Sequence, residues 1–388
     1  MSKLPLLARY YTWGPWLLFF LLAILLYAPL LQNYFVSDDW HWLYLSAYKP
    51  WSLDIFTTNY TRNFGLGSYN PLLVIIFKIF YSLFGLKFFW YQAISILVHA
   101  SSAYLVALVA GIWFRRLSVS RSRYWGYIVG LFFLLWPTQV EAVAWLAAWT
   151  HLWAGLFYFL TLYLYLNKKF VYAIFSFIAA LLIKEVALSL PLVIIAWEVY
   201  KKIKFQEKIN YIFSGLLLVI SLVFLYVRLL ITGVLLGYYG ANQLGFAPLK
   251  LLANFAGYIN ELITWSYMRE IFFKIWYLSQ SSIALLVGGV ITIYFYYLWR
   301  SRASNQAILF GLFILSLTPV LPLGLHRQTF EGERYVYIAT FFWLLWLVYL
   351  FSRWTISYKT KLFILSIIIL PGLWTISGKM IVWQKASL

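Results

Sequence analysis

Residues 88–113 read FFWYQAISILVHASSAYLVALVAGIW, without one Asp, Glu, Lys or Arg. About 20 apolar residues are enough to carry an α-helix across the hydrocarbon core of a bilayer. In lipid such a run must be helical, because an open backbone finds no hydrogen-bond partner there. Comparable segments lie at 16–31, 124–136, 149–166, 170–183, 187–200, 209–229, 281–299, 305–321, 335–351 and 361–380, which makes about 11 crossings. No stretch shows the short polar–apolar alternation of a transmembrane β-barrel. Composition agrees: 64% of residues are hydrophobic and 11% charged, against about half and about a quarter in soluble domains. The fold class expected is an all-α polytopic membrane protein. Residues 1–388 read as a single integral membrane module with no soluble domain.

The basic clusters set the orientation. Lys3 and Arg9 precede the first segment; Arg115, Arg116, Arg121 and Arg123 follow the second. Lys168 and Lys169 follow the fourth, and Lys201, Lys202, Lys204 and Lys208 the sixth. Arg300 and Arg302 follow the eighth; Arg353, Lys359 and Lys361 follow the tenth. Positive loops stay cytoplasmic, so the N-terminus is inside and the odd count puts the C-terminus outside. Much of the net charge of +19 is loop placement of this kind, which argues against a nucleic-acid partner. There is no cysteine, hence no disulfide framework and no thiolate metal site. The first segment lacks a small-residue cleavage site and reads as a retained helix.

Of the 11 acids, only Glu198 and Glu207 fall at the inner side. The rest, among them Asp38, Asp39, Glu141, Glu185 and Glu333, fall at or beyond the outer side. Orientation does not require this, because acids contribute little to it; an outward-facing chemical site does. Two regions break the simple pattern. Residues 71–84 (PLLVIIFKIFYSLF) are apolar but short and carry Lys78. Crossing there would flip every later basic loop, so they are expected as an interfacial helix within a first outer loop at about 32–87. By the same parity, 249–278 belongs to a second outer juxtamembrane region at about 230–280.

Four polar motifs stand out on the outer face. FVSDDWHW (35–42) places Asp38 and Asp39 where the first segment leaves the membrane. They read either as caps of an outer helix or as general-base chemistry, in which partial desolvation raises the basicity of a carboxylate. WPTQVEAVAWL (136–146) holds Glu141 in a nearly all-apolar loop with few partners nearby. IKEVALSLPL (183–192) holds Lys184 and Glu185 in a tight turn, as a local ion pair or, for Lys184, as a point charge for a phosphate. HRQTFEGERYVY (326–337) brings His326, Arg327, Glu331, Glu333 and Arg334 to the start of a span. Arg334 is nearest the membrane, and its planar fork suits phosphate oxygens. Arg62, in the first outer loop, joins the supporting set. His41, His99 and His151 lack metal-ligand spacing; adjacent Asp38 and Asp39 could hold a divalent cation, but two oxygen-ligand residues are too few to claim one. No P-loop, nucleophile elbow or zincin motif is present.

FVSDDW (35–40), YNPL (69–72), VHA (98–100), WPTQVEAVAWL, IKEVALSLPL and ERYVY (333–337) occur in an order that resembles the C-type (GT-C) glycosyltransferases. The likeness is to the transmembrane and tetratricopeptide-repeat O-mannosyltransferases and their bacterial and archaeal relatives, and it runs across nearly the whole chain. It implies a GT-C transmembrane fold. It also implies a polyprenyl-phosphate sugar donor, an extracytoplasmic active site in a prokaryotic plasma membrane, and inversion at the anomeric carbon. By the same likeness Asp38 is the general base and Glu141 the second acid, with Asp39 supporting. Lys184 and Glu185 match the Lys-Glu turn, and Glu333, Arg334 and Tyr335 the Glu-Arg-Tyr element. Lys184 and Arg334 are assigned to the donor phosphate. The chain departs from the pattern at Asn70, where arginine is usual, and at Trp149 and His151, where relatives carry an arginine and an aspartate. The tetratricopeptide array does not follow MIVWQKASL. The acceptor class stays open among glycan, lipid and protein. The rival readings are a transporter or flippase of lipid-linked glycans, which should show repeat halves and broken midplane helices, and an inactive scaffold of the same fold.

Overall fold

The computed structural model describes residues 13–60, 68–235, 246–264, 288–290, 293, 294, 296, 297, 300, 304–323 and 332–387. Among these the architecture is all helical. The first apolar segment forms α1 (Trp13–Tyr27) and runs on as a 3-10 turn to Gln32. The first outer loop contributes α2 (Asp39–Tyr48) and α3 (Pro71–Phe84). Then follow α4 (Phe88–Arg116), α5 (Ser122–Leu134), the short α6 (Val140–Ala144), α7 (Trp149–Leu166), α8 (Phe170–Ile183) and α9 (Ser189–Phe205). The second half holds α10 (Tyr211–Thr232), α11 (Pro248–Thr264), α12 (Ser304–Leu317), α13 (Tyr337–Arg353) and α14 (Tyr358–Ala386).

Every expected crossing except 281–299, most of which lies outside the described residues, falls on one of these helices. By length and apolarity five helices among the described residues can cross a membrane: Gly14–Gln32, Phe88–Arg116, Tyr211–Thr232, Glu333–Arg353 and Lys359–Ala386. Ser122–Leu134 with Pro137–Ala144 makes a sixth if that pair, bent by 53°, is one broken span. Pro71–Phe84, Phe170–Ile183 and Ser304–Leu317 are shorter apolar helices. The expected segment 124–136 stops early, at Leu134. Pro137 disfavours a helical residue before it, and Trp136 is extended (φ −81°, ψ 125°).

Helices α4 and α5 meet through small residues. A Cβ on Gly126 would lie 2.6 Å from Ala107 O and 2.7 Å from Gly111 Cα, and one on Gly130 2.6 Å from Ala107 Cβ. Without side chains at these positions the two backbones approach closely, as small-residue stripes allow in lipid.

The first outer loop is amphipathic as expected. On α2, Trp42, Leu43 and Leu45 are buried, while Trp40, Tyr44 and Tyr48 form an exposed stripe at four-residue spacing. Aromatic rings of this kind favour the membrane–water interface. Helix α3 packs beneath: Phe77 stacks on Trp42 (5.3 Å, 9°) and lies against Trp149 (4.8 Å). Lys78 is fully buried, yet not wasted. Its ammonium donates to Lys49 O and, at 3.5 Å, to Ser46 O, and sits 5.1 Å from the centre of the Trp51 ring. A cation there satisfies the carbonyls that the end of α2 leaves without intrahelical partners.

Glu198 and Glu207, the two acids expected at the inner side, are paired with bases. Glu207 pairs with Arg116 at 2.5 Å, and buried Glu198 accepts from Lys201 at 2.9 Å and from the Asn210 N–H at 3.1 Å. Arg353 donates to Ser118 O (3.5 Å).

Candidate active site

The Asp38–Asp39 pair is divided by its own backbone. Ser37 adopts the left-handed region (φ 47°), uncommon for a residue with a side chain. It reverses the chain into a tight turn closed twice by Asp39. The Asp39 N–H donates to Val36 O at 3.0 Å, and Asp39 Oδ2 accepts from the Val36 N–H at 3.0 Å. Asp39 Oδ1 accepts from the Ala147 N–H at 2.7 Å, which ties the first outer loop to segment 136–148. The Asp39 side chain is buried, and that burial pushes its carboxyl up to about 7 despite the two N–H donors. Asp38, at the tip of the turn, makes no cap hydrogen bond to α2. Its carboxylate is 42% exposed, 3.6 Å from His41 Nδ1. One acid is anchored; its neighbour faces outward.

Glu141, which has no partner near it in sequence, finds one across the fold. Its Oε1 accepts from the Arg334 guanidinium. Its Oε2 accepts from the Arg334 N–H at 2.7 Å and the Gly332 N–H at 3.3 Å. The guanidinium carbon lies 4.8 Å from the Trp145 ring centre and 4.8 Å from that of Tyr335. Charge-assisted bonds and two aromatic faces thus fix its plane. Tyr335 meets the edge of buried His151 at 5.3 Å. His151 in turn lies within electrostatic reach of both Lys184 and Arg334.

Lys184 is extended (φ −160°, ψ 137°) between α8 and a 3-10 turn at Glu185–Leu188. Its N–H donates to Ala180 O at 3.0 Å, while its half-buried side chain forms no hydrogen bond or salt bridge among the described residues. Glu185 does not pair with its neighbour alone: Arg228 of α10 approaches its Oε1 at 3.8 Å. Burial pushes the Glu185 carboxyl up, but Lys184 and Arg228 outweigh it and hold it below the usual range. Both oxygens of Glu333 accept from Lys379 of α14, at 2.6 and 2.7 Å.

Asn70 starts α3, buried beside Tyr69, whose ring packs on Phe224 of α10 at 5.9 Å. Neither the nitrogen nor the oxygen of its amide has a hydrogen-bond partner among the described residues. Arg62, His326, Arg327 and Glu331 lie outside the described residues. Among the described residues no three His, Cys, Asp or Glu side chains gather as metal ligands. His99 is a core residue: its Nδ1 lies 2.9 Å from Tyr337 Oη and its Nε2 3.3 Å from Leu134 O, which joins the VHA and ERYVY elements.

Sequence reasoning missed Arg228 and Lys379. Each is a lone cation in an apolar run, and a charge at membrane depth is costly enough to demand a partner. That signal was present without naming the partner.

No protein-family model matches the chain. No curated protein matches it either. Among solved structures it is similar to the crystal structure of ArnT from Cupriavidus metallidurans bound to undecaprenyl phosphate, with 14% identity and a TM-score of 0.44. The match covers 92% of this chain and 64% of that one, so this chain spans under two thirds of the length of the protein it resembles.

Proposed function

We propose that the chain is a GT-C-type membrane glycosyltransferase. It moves a sugar from a polyprenyl-phosphate donor to an acceptor hydroxyl on the extracytoplasmic face, with inversion. The observation that carries this reading is the meeting, at one end of the bundle, of the exposed acid turn at Asp38, the Glu141–Arg334 pair and the cation Lys184. The motifs that supply them are separated by most of the chain.

The chemistry follows from that arrangement. A lipid-linked donor keeps its tail in the bilayer and its sugar–phosphate at the interface. The acid that meets it belongs at a membrane exit, as Asp38 does. Its carboxylate draws the proton from the acceptor hydroxyl, a step that contributes roughly 10²–10⁴-fold. The hydroxyl oxygen bonds to the anomeric carbon as the bond to the lipid phosphate breaks. That phosphate leaves with its own charge and needs electrostatic stabilisation more than protonation. Lys184 is a half-buried ammonium without a hydrogen-bond partner among the described residues. Arg334 is fixed in its plane by Glu141 and two rings. Both are preorganised donors for that charge. A single carboxylate base with no covalent intermediate accords with inversion; hydrolases need a second carboxyl to protonate the leaving oxygen.

A transporter of lipid-linked glycans would carry its polar groups near mid-depth. Here Asp38, Asp39 and Glu333 sit at helix starts, which favours the glycosyltransferase reading. The test is to incubate the purified protein with a panel of polyprenyl-phosphate sugars and acceptor alcohols. Release of polyprenyl phosphate and the anomeric configuration of the product are followed. Inverted product supports the reading, and retained configuration contradicts the single-base mechanism.

A further inference from the structure

Lys379 lies outside every motif discussed so far, near the end of α14. Besides the two oxygens of Glu333, its ammonium donates to Pro137 O at 3.0 Å. The Lys379 side chain is 11% exposed and that of Glu333 5%. One turn further on, Trp383 stacks on Trp145 (5.9 Å, 28°), the ring that also lies against the Arg334 guanidinium. Gln384 then donates to Pro29 O at 2.9 Å, just ahead of the Asp38 turn. The last helix therefore touches the three separate segments that carry Asp38, Glu141 and Arg334.

The charges explain why the contact is at Glu333. Its carboxylate lies near enough to Glu141 for the two to repel. Two buried carboxylates within electrostatic reach of each other stay charged only if cations balance them. Arg334 balances Glu141, and Lys379 balances Glu333. The Lys379 bond to Pro137 O adds a tether at the start of the segment that carries Glu141.

We propose that Lys379 is a positioning residue for the site, holding Glu333 and Pro137 so that Arg334 stays on Glu141. The proposal rests on the glycosyltransferase reading only for its activity readout. Without Lys379, Glu333 loses the cation that balances it while adjoining Arg334 in sequence. It then competes with Glu141 for the guanidinium.

The test uses the full-length protein in detergent, with Lys379→Met, Lys379→Arg and Lys379→Met combined with Glu333→Gln. Thermal unfolding comes first, because it needs no substrate. Lys379→Met is expected to lower Tm by at least about 4 °C, Lys379→Arg by less than half as much, and the double variant to regain at least about half the loss. A merely space-filling lysine gives no such recovery when a second side chain is altered, so a double variant as unstable as Lys379→Met overturns the proposal. Turnover comes second. Lys379→Met is expected to cut release of polyprenyl phosphate at least about tenfold, with the double variant recovering most of it. Wild-type turnover in Lys379→Met overturns the positioning role. If the wild-type protein releases nothing from any donor, the glycosyltransferase reading fails, and the thermal cycle alone decides whether Lys379 balances Glu333.

Discussion

Glu141 and Arg334 stand 193 positions apart and form one buried ion pair, with the Arg334 backbone N–H on the same carboxylate at 2.7 Å. A pair held this way is costly to break from one side, because the surviving charge stays buried. Arg334→Ala should destabilise the protein by about 3–5 kcal/mol, read as a lower Tm in detergent. It should also weaken binding of a polyprenyl-phosphate sugar more than binding of the acceptor. Equal loss for both would remove Arg334 from the donor phosphate. Arg334→Lys should not rescue, since an ammonium cannot lie flat between the Trp145 and Tyr335 rings.

Lys184 gives the opposite signature. Its ammonium forms no hydrogen bond or salt bridge among the described residues, and its charge supports the neighbouring Glu185 carboxyl, so Lys184→Met should lower Tm by less than Arg334→Ala does. Donor affinity should still fall on the order of tenfold to a hundredfold, the worth of one charge-assisted bond to a phosphate. A large fall in Tm with unchanged affinity would make Lys184 structural.

Asp39 predicts a pH dependence with a definite sign. Its carboxyl is raised to about 7 in the folded protein, against about 3.9 when unfolded. Between those values the folded state binds more protons than the unfolded one, so stability declines as pH rises from about 4 to about 7 and levels off above. Tm measured against pH should show this slope, and Asp39→Asn should flatten it. A wild-type slope that survives in Asp39→Asn would assign it to other groups.

Asp39 also tests the division of the acid pair. Asp39→Ala leaves the Val36 and Ala147 N–H groups without their acceptor, which costs roughly 1–3 kcal/mol each if they stay buried. Urea or thermal unfolding should register that loss. Asp38→Ala, at a half-exposed position, should move stability by no more than about 0.5 kcal/mol.

How much of this was legible in the sequence depends on the kind of signal. Runs such as 88–113 and 361–380 declare helices because lipid admits no other open structure, and the described helices fall on them. Where a run ended was less legible; Pro137 moved one end to Leu134. The four polar motifs were visible as acids and bases in apolar surroundings, but their pairings were not. Glu141 could not announce Arg334, nor Glu333 announce Lys379, because long-range pairs are set by how the helices pack. The resemblance divided Asp38 from Asp39 by role, but the anchoring of Asp39 needed the turn at Ser37, whose left-handed backbone no residue type there demands. Asn70 was legible as a departure from a pattern, and the structure adds only that its amide is buried without a partner among the described residues.

The central claim is that Asp38 is the base of a glycosyl transfer. The most direct measurement is release of polyprenyl phosphate from the best donor of the panel, by wild type and by Asp38→Asn at matched Tm. The account predicts release by wild type and a loss of about 10²–10⁴-fold in the variant. Unchanged turnover in Asp38→Asn would contradict it.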